Sequence, residues 1–422
     1  MATIKAFRGL SYNPDKIANL ENVVAPPYDV ISQTMQNYFY EVNPYNIIRL
    51  ILGKESDGDN ARNNKYTRAH FYLEGWIKKA ILIKDKKPSV YVYRQTYLHE
   101  GKKRTRTGFL TLMKIEDPHK SGVLPHEYTL NKPKVDRLNL IKKVNANLSP
   151  IFSLYHDRKF TIPKLIRKSI KSVRPIAMLD FEGVRHQLWR ISDKKTIARL
   201  IKLMKGKKVF IADGHHRYEV AFTYKRMMSK KRNADYIMVY FTNLSDTKNV
   251  TILSTHRLLK KIGTKKKADI LKLLKGSFEV MKFSNLKSLM NSLSRDKKRP
   301  RFGIYMGNKK FYLVSLKKGI SISMVIKGNK SSQWKKLDVT VLHNLIMKDL
   351  LDLKYSEENI KYLRDPLVAC SLVDKGEYGI AFLLNPTKVH QVKEVAERGN
   401  MMPQKSTYFY PKLLTGLVIN RF

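Results

Sequence analysis

Ile211-Ala212-Asp213-Gly214-His215-His216-Arg217-Tyr218-Glu219-Val220-Ala221 is the stretch on which the reading of this chain turns. The apolar run Val209–Ala212 enters it, Asp213-Gly214 makes a turn, and a helical pattern continues from His215 to about Lys230. A second apolar run, Asp235–Phe241, follows closely. Strand, helix and strand in so short a span, both strands apolar on both faces, predict a right-handed parallel crossover unit. A glycine turn from a buried strand into a helix leaves backbone N–H groups and the positive helix end at the sheet edge, where an anion binds readily.

At about 100° per residue, Val220, Ala221, Tyr224, Met227 and Met228 form one stripe, the expected buried face. Arg217 falls within it, one turn from the helix start. An inward guanidinium needs a counter-charge, because burying an isolated charge is costly. Two partners fit: Asp213, four residues back, or a bound anion flanked by Arg217 and His216 and cradled by the amides of 215–217. His215 and Glu219 are expected on the opposite, solvent-facing side, with His215 the mobile acid–base candidate. A metal held by Asp213, His215 and His216 is a third reading, although His-Glu-x-x-His spacing is absent and adjacent helical histidines diverge.

Outward from this segment the chain reads as mixed α/β, with α+β character at its amino-terminal end. Strand-like runs at Ser89–Tyr97 and Arg106–Lys114 flank Glu100-Gly101 and predict a hairpin. Ile197, Leu200, Ile201 and Met204 repeat with helical spacing, with Asp193 placed to cap and Gly206 to stop. Helices and strands alternate again in the last third, including a helix over Val339–Leu351, a strand at Ile380–Leu384 and a helix opening at Asn385-Pro386-Thr387. Three regions are expected: 1–160, 161–260 containing the strand–turn–helix unit, and 261–422.

The chain has 422 residues, 43% of them hydrophobic, with 82 Lys and Arg against 35 Asp and Glu, a net charge of +47. Such a composition excludes disordered and collagenous classes. Apolar runs are too short to span a membrane and the first residues lack a signal-peptide core, so a cytoplasmic protein without a membrane partner is expected. The single Cys370 excludes an internal disulfide and any Cys-based metal cluster. The charge would attract any polyanion, nucleic acid included. Basic clusters such as Lys102-Lys103-Arg104, Arg167-Lys168, Lys194-Lys195, Lys230-Lys231-Arg232 and Lys297-Lys298-Arg299 recur along the whole chain, and none stands out as a binding arm. Walker-type, Rossmann, nucleophile-elbow and protein-kinase signatures are absent.

Several further blocks carry polar residues in loop-like settings, where binding residues collect. They are Ala25-Pro-Pro-Tyr-Asp-Val-Ile-Ser32, Asn43-Pro-Tyr-Asn46, His126-Glu127 with Asp136-Arg137, Asn147-Leu-Ser-Pro-Ile-Phe152 and Met402-Pro-Gln-Lys-Ser-Thr-Tyr-Phe-Tyr-Pro-Lys412. Asp29, Asn46, His126, Glu127, Lys405 and Ser406 are candidates by this company, and turn-forming or capping roles are the alternative for each. Asp136-Arg137 reads as a structural ion pair. Tyr408-Phe409-Tyr410-Pro411-Lys412 reads as a packed terminal strand, with base stacking as the alternative.

Together with Ala212-Asp-Gly-His-His-Arg-Tyr-Glu219, these blocks resemble domain of unknown function 1015, a family recognised by sequence without an assigned activity. A more distant likeness is to ParB-like nucleotide-binding proteins, whose Gly-x-x-Arg-x-x-Ala segment holds nucleotide phosphates. Gly214 and Arg217 match, but Val220 stands where that group has alanine. The likeness implies phosphate contacts from Gly214, His215, His216 and Arg217, with Asp213 at the turn. It also implies either a nucleotide-dependent phosphotransferase acting on a small hydroxylated metabolite, as in the serine kinases of that group, or a nucleic-acid-binding, partition-related module. For the first, Mg²⁺ would accompany the nucleotide, with Asp29, Glu127 or Asp213 as ligands, and Glu127, Asp29 or His215 would take the hydroxyl proton. The oligomeric state stays open.

Overall fold

Residues 90–114 form a hairpin because two β-rich runs are joined by the tightest available turn. In the computed structural model, β2 (Val90–His99) and β3 (Lys102–Lys114) pair antiparallel from Tyr91↔Leu110 to His99↔Lys102. Glu100 (φ 50°) and Gly101 (φ 70°) both take the left-handed conformation that matches strand twist in a two-residue loop. The hairpin expected from sequence is therefore present. The structure describes residues 2–118, 121–129, 131–228, 232–260, 264–296, 299–352 and 359–422. The expected helix end at Lys230 and parts of the basic clusters at 230–232 and 297–299 lie outside these residues.

The chain forms two units: residues 1–125, 129–251 and 411–422 make the first, and residues 126–128 and 252–410 the second. Position 160 lies within the first unit.

The first unit is built on a nine-stranded mixed sheet. Its other strands are β1 (Ile4–Lys5), β4 (Val123–Leu124), β5 (Ile151–Tyr155), β6 (Ala177–Phe181), β7 (Val184–Ile191), β8 (Val209–Asp213) and β9 (Tyr236–Asn243). The order is β4-β8-β5-β9-β3-β2-β7-β6, with β1 on β3. β5 lies between β8 and β9, antiparallel to the first and parallel to the second. The expected parallel crossover is thus corrected: β8 and β9 run in opposite directions and do not pair. Apolar runs identify buried strands but hold no information about direction, which the intervening β5 decides.

The helices of this unit include α1 (Gln33–Val42), α2 (Lys65–Lys78), α3 (Asn131–Val144), α4 (Thr161–Ile170), α5 (Lys194–Met204) and α6 (His215–Met227). α5 is the helix its periodicity predicts, with the Asp193 carboxylate accepting from Thr196 N at 2.7 Å and Gly206 (φ 83°) ending it. α4, α5 and the Tyr218–Ala221 side of α6 bury their apolar stripes in one core layer with Val92, Phe109, Val209 and Val239. A second cluster joins α1, α2 and the end of α3. Asn46 belongs there structurally. Fully buried, its amide donates to the Asn22 and Val24 carbonyls (2.8 and 3.1 Å) and its oxygen accepts from Ile48 N (2.9 Å).

The second unit holds a six-stranded antiparallel sheet of β10 (His256–Leu259), β11 (Phe278–Phe283), β12 (Arg301–Tyr305), β13 (Phe311–Leu316), β14 (Ile360–Leu363) and β15 (Ile380–Leu384), in the order β11-β13-β12-β15-β10-β14. Its helices include α7 (Thr264–Ser277), α8 (Leu286–Arg295), α9 (Pro366–Asp374) and α10 (Val389–Glu397). The helix expected over Val339–Leu351 is a short α-turn, Asp338–Val341, running into a wider π-type segment, Leu342–Leu350. The helix expected at Asn385-Pro386-Thr387 opens later, at Val389. Among the described residues no helix is long and apolar enough to cross a membrane.

Candidate functional site

The β8–α6 junction forms because three local features agree. Register slips between Ile211 and Asp213 against β5, a bulge that redirects Asp213 at the strand end. Gly214 then adopts φ 91° and ψ 29° as the N-cap residue of α6. Glycine is required there twice over, since a Cβ would also stand 3.0 Å from the Arg217 guanidinium. Gly214→Ala is therefore expected to cost about 1–3 kcal/mol in stability, read by chemical denaturation, and to move Arg217. An unchanged unfolding midpoint would contradict this account.

Arg217 is turned inward as its place on the helix requires. One Nη donates to the Pro150 carbonyl and the other to Asp213 Oδ2 at 3.3 Å. Asp213 Oδ1 accepts from Lys412 Nζ at 3.1 Å. One carboxylate is thus shared between two cations. Burial pushes the Asp213 pKa up, but the charges of Lys412 and Arg217 outweigh it and hold the group at about 2. Arg217 thus has the carboxylate partner its position calls for, and that partner is divided with Lys412.

Beside Arg217 lies a cavity of about 60 Å³ lined by Tyr28, Arg137, Ser149, Val220 and the ends of α3 and β9. A water needs only about 10–15 Å³ measured this way, so there is room for a group of several heavy atoms. Arg137 supplies a second guanidinium. It is 8% exposed, bonds Asp136 and the Ile51 carbonyl (2.6 Å), and lies 4.1 Å over the Tyr28 ring. Asp136 in turn meets Lys65 at 3.0 Å and Tyr66 Oη at 2.9 Å. The expected structural ion pair is therefore present, and it also borders the cavity. Burial, followed by the Asp29 charge, pushes the Tyr28 phenol up to about 12 despite Arg137 and Arg217, so it stays a neutral donor at neutral pH.

Lys412 reaches Asp213 because its backbone is strapped across the hairpin. Gln95 Nε2 donates to the Lys412 carbonyl at 2.8 Å, Arg106 donates to the Pro411 carbonyl, and Leu414 N donates to Tyr93 Oη at 3.4 Å. Lys412, Tyr28, Arg137 and Ser149 do not stand out as site residues from sequence. All four lie within the loop-like blocks, which is the available signal. Their separation along the chain hides the convergence.

Other placements need correction. His215 is 8% exposed, so it is not a mobile solvent-facing group. α6 buries two sides: Tyr218 and Ala221 face the sheet, while Val220 and Tyr224 join Ile141 of α3. His215 shares the Tyr218 stripe and is covered with it, whereas Met227, expected inside, is exposed. Glu219 does not stand open beside His215, because it accepts from Thr129 Oγ1 (2.6 Å) and Lys134 Nζ (3.2 Å). His216 is half-buried and Asp29 is exposed on the turn Tyr28–Val30.

His126, Glu127, Lys405 and Ser406 belong to the second unit, where they are joined to one another. His126 is fully buried, its Nε2 3.0 Å from Thr407 Oγ1 and its ring against Phe409. Glu127 Oε1 accepts from Lys405 N at 3.2 Å, and the Lys405 carbonyl accepts from Arg257 at 2.9 Å. Lys405 itself sits at φ 53°, and Ser406 Oγ donates to the Pro403 carbonyl. Phe409 is buried, so the terminal aromatic block packs within the protein.

As magnesium ligands, the three expected carboxylates do not fit. Both Asp213 oxygens are engaged by cations, Glu127 Oε1 accepts from Lys405 N, and among the described residues no three His, Cys, Asp or Glu side chains gather around one point.

A family model described as "Protein of unknown function (DUF1015)" matches residues 4–340. The chain belongs to the DUF1015 family. The matched span contains the β8–α6 junction, Tyr28 and Arg137, while Lys412 lies beyond it. No protein of curated function matches this DUF1015 chain. Solved structures similar to it include a conserved hypothetical protein from Pyrococcus furiosus, 15% identical, with a TM-score of 0.36 over 72% of this chain and 92% of that one. A free serine kinase in complex with AMP is 13% identical, with a TM-score of 0.33 over 71% and 86%. SbnI with a C-terminal truncation, from Staphylococcus aureus, is 10% identical, with a TM-score of 0.37 over 72% and 85%.

Proposed function

We propose that this DUF1015 protein binds the phosphate of a nucleotide or a phosphorylated small metabolite at the start of α6 and transfers a phosphoryl group to a small hydroxylated acceptor. The observation that carries the reading is one carboxylate, Asp213, divided between Lys412 and Arg217 beside a cavity that Arg137 also lines. An arriving phosphate would take over part of the hydrogen bonding that Asp213 now supplies, and charge-assisted bonds of this kind are among the strongest available. Gly214 has no side chain with which to cap α6, and the positive end of the helix suits a phosphate oxygen.

In this reading Gly214, His216 and Arg217 position the phosphate and Lys412 balances its charge, while Asp213 gives up part of its hold on both cations. His215 acts from its buried position beside Asp213. Asp29 remains the carboxylate proposed to receive the hydroxyl proton, whereas Glu127 belongs to the second unit, where it accepts from Lys405 N. The test is thermal unfolding with ATP, ADP, AMP, CTP and inorganic phosphate, followed by phosphate-transfer assays with hydroxylated amino acids and sugars. A ligand at a hundred times its Kd should stabilise the protein by about 2.7 kcal/mol. Flat melting curves with every nucleotide and phosphometabolite would overturn the reading.

A further inference from the structure

Two basic clusters far apart in sequence, Arg167-Lys168 and Lys194-Lys195, are brought onto neighbouring helices. α4 and α5 pack against each other and bury Ile162, Ile166, Leu200 and Met204 in the same layer over the sheet. Their opposite sides expose Lys164, Arg167 and Lys168 from α4, and Lys195, Arg199 and Lys202 from α5. Spacings of three, four and seven residues put each trio on one stripe. Neither helix contains an Asp or Glu, and the Asp193 cap is occupied by Thr196 N. Among the described residues none of these six cations takes part in an ion pair.

Arg94 extends this face from β2. It lies 4.8 Å over the Trp189 ring, and burial together with the nearby Arg167 charge lowers its pKa. Two guanidinium groups close together, with no carboxylate among the described residues paired to either, have the pattern of a site for the phosphate backbone. The apolar sides of both helices are already buried, and neither helix carries an exposed large apolar or aromatic residue. Among the described residues of these two helices nothing is therefore available to insert into a bilayer or to stack on unpaired bases.

We propose that the outer face of α4 and α5, extended by Arg94, docks the backbone of double-stranded nucleic acid without reading its sequence. This surface is independent of the phosphate site at α6.

The test is fluorescence anisotropy of the full chain with a mixed-sequence duplex of about 20 base pairs at roughly 150 mM salt, with the salt dependence recorded. Combining Lys164→Glu, Arg167→Glu, Lys168→Glu and Arg199→Glu should weaken binding by about 30-fold or more. It should also lower the slope of log affinity against log salt by about one for each phosphate that is no longer neutralised. A control set on exposed lysines, Lys78→Glu, Lys79→Glu, Lys86→Glu and Lys87→Glu, should change affinity by less than about threefold, since long-range net charge alone is screened at this salt. The face variant should melt no lower than the parent, because reversal relieves like-charge repulsion along both helices. Equal losses in the two sets, tighter binding to the single strand, binding to phosphatidylserine vesicles in place of the duplex, or no duplex binding at this salt would each overturn the proposal.

Discussion

Arg217→Ala will remove about half or more of the stabilisation that a nucleotide or phosphometabolite confers, lowering affinity by about 10–100-fold. A charge-assisted hydrogen bond contributes about 1.5–3 kcal/mol, and Arg217 is the guanidinium placed both at the helix start and beside the cavity. A ligand present at a hundred times its parent Kd would then give about 0.4–1.4 kcal/mol instead of about 2.7. The same substitution removes donors from the Pro150 carbonyl and Asp213, so a fall in intrinsic stability of about 1–3 kcal/mol is expected as well. Ligand-dependent and ligand-free melts separate the two effects. Arg217→Lys keeps the charge but loses the two-pronged geometry, and should recover part of the ligand shift. A full ligand shift in Arg217→Ala would place the phosphate elsewhere.

Asp213→Asn is expected to move stability and ligand affinity in opposite directions. Without the carboxylate, Arg217 and Lys412 face each other as unbalanced, largely covered cations, at a cost of about 2–4 kcal/mol at neutral pH. The pKa of Asp213 agrees in size, since depression from 3.8 to about 2 corresponds to about 2–3 kcal/mol. Because the folded pKa lies below the unfolded one, this stability is present above about pH 4 and is lost as pH falls toward 2. The gap between parent and Asp213→Asn should therefore close across that acid window, read by denaturant midpoints at successive pH values. Phosphate affinity should rise, because both cations are released from their carboxylate. A fall in affinity would mean that Asp213 itself contacts the ligand, as a base or through a metal.

Much of the local architecture was legible from residue order. The Asp193 cap, the spacing of Ile197, Leu200, Ile201 and Met204, and the Glu100-Gly101 turn each act within a few residues, and each appears as expected. The inward Arg217 and its Asp213 partner were legible for the same reason, being four residues apart on one helix entry. Strand direction was not, since β5, drawn from residues 151–155, is what separates β8 from β9. The burial of His215 was also hidden. A single-stripe projection assumes one buried face, and α6 has two because α3 packs on the side away from the sheet.

Sequence by itself determined the β2–β3 hairpin and α5, that a glycine must stand at 214, and that a guanidinium would be carried inward at 217. Those outcomes follow from backbone sterics and short-range periodicity, which need no distant partner. Tertiary structure alone decided that Lys412 would compete with Arg217 for Asp213, that Tyr28 and Arg137 would wall the adjoining cavity, and that two scattered lysine-arginine clusters would share one face. Each of those depends on residues tens to hundreds of positions apart, which meet only when sheet order and helix packing bring their segments together.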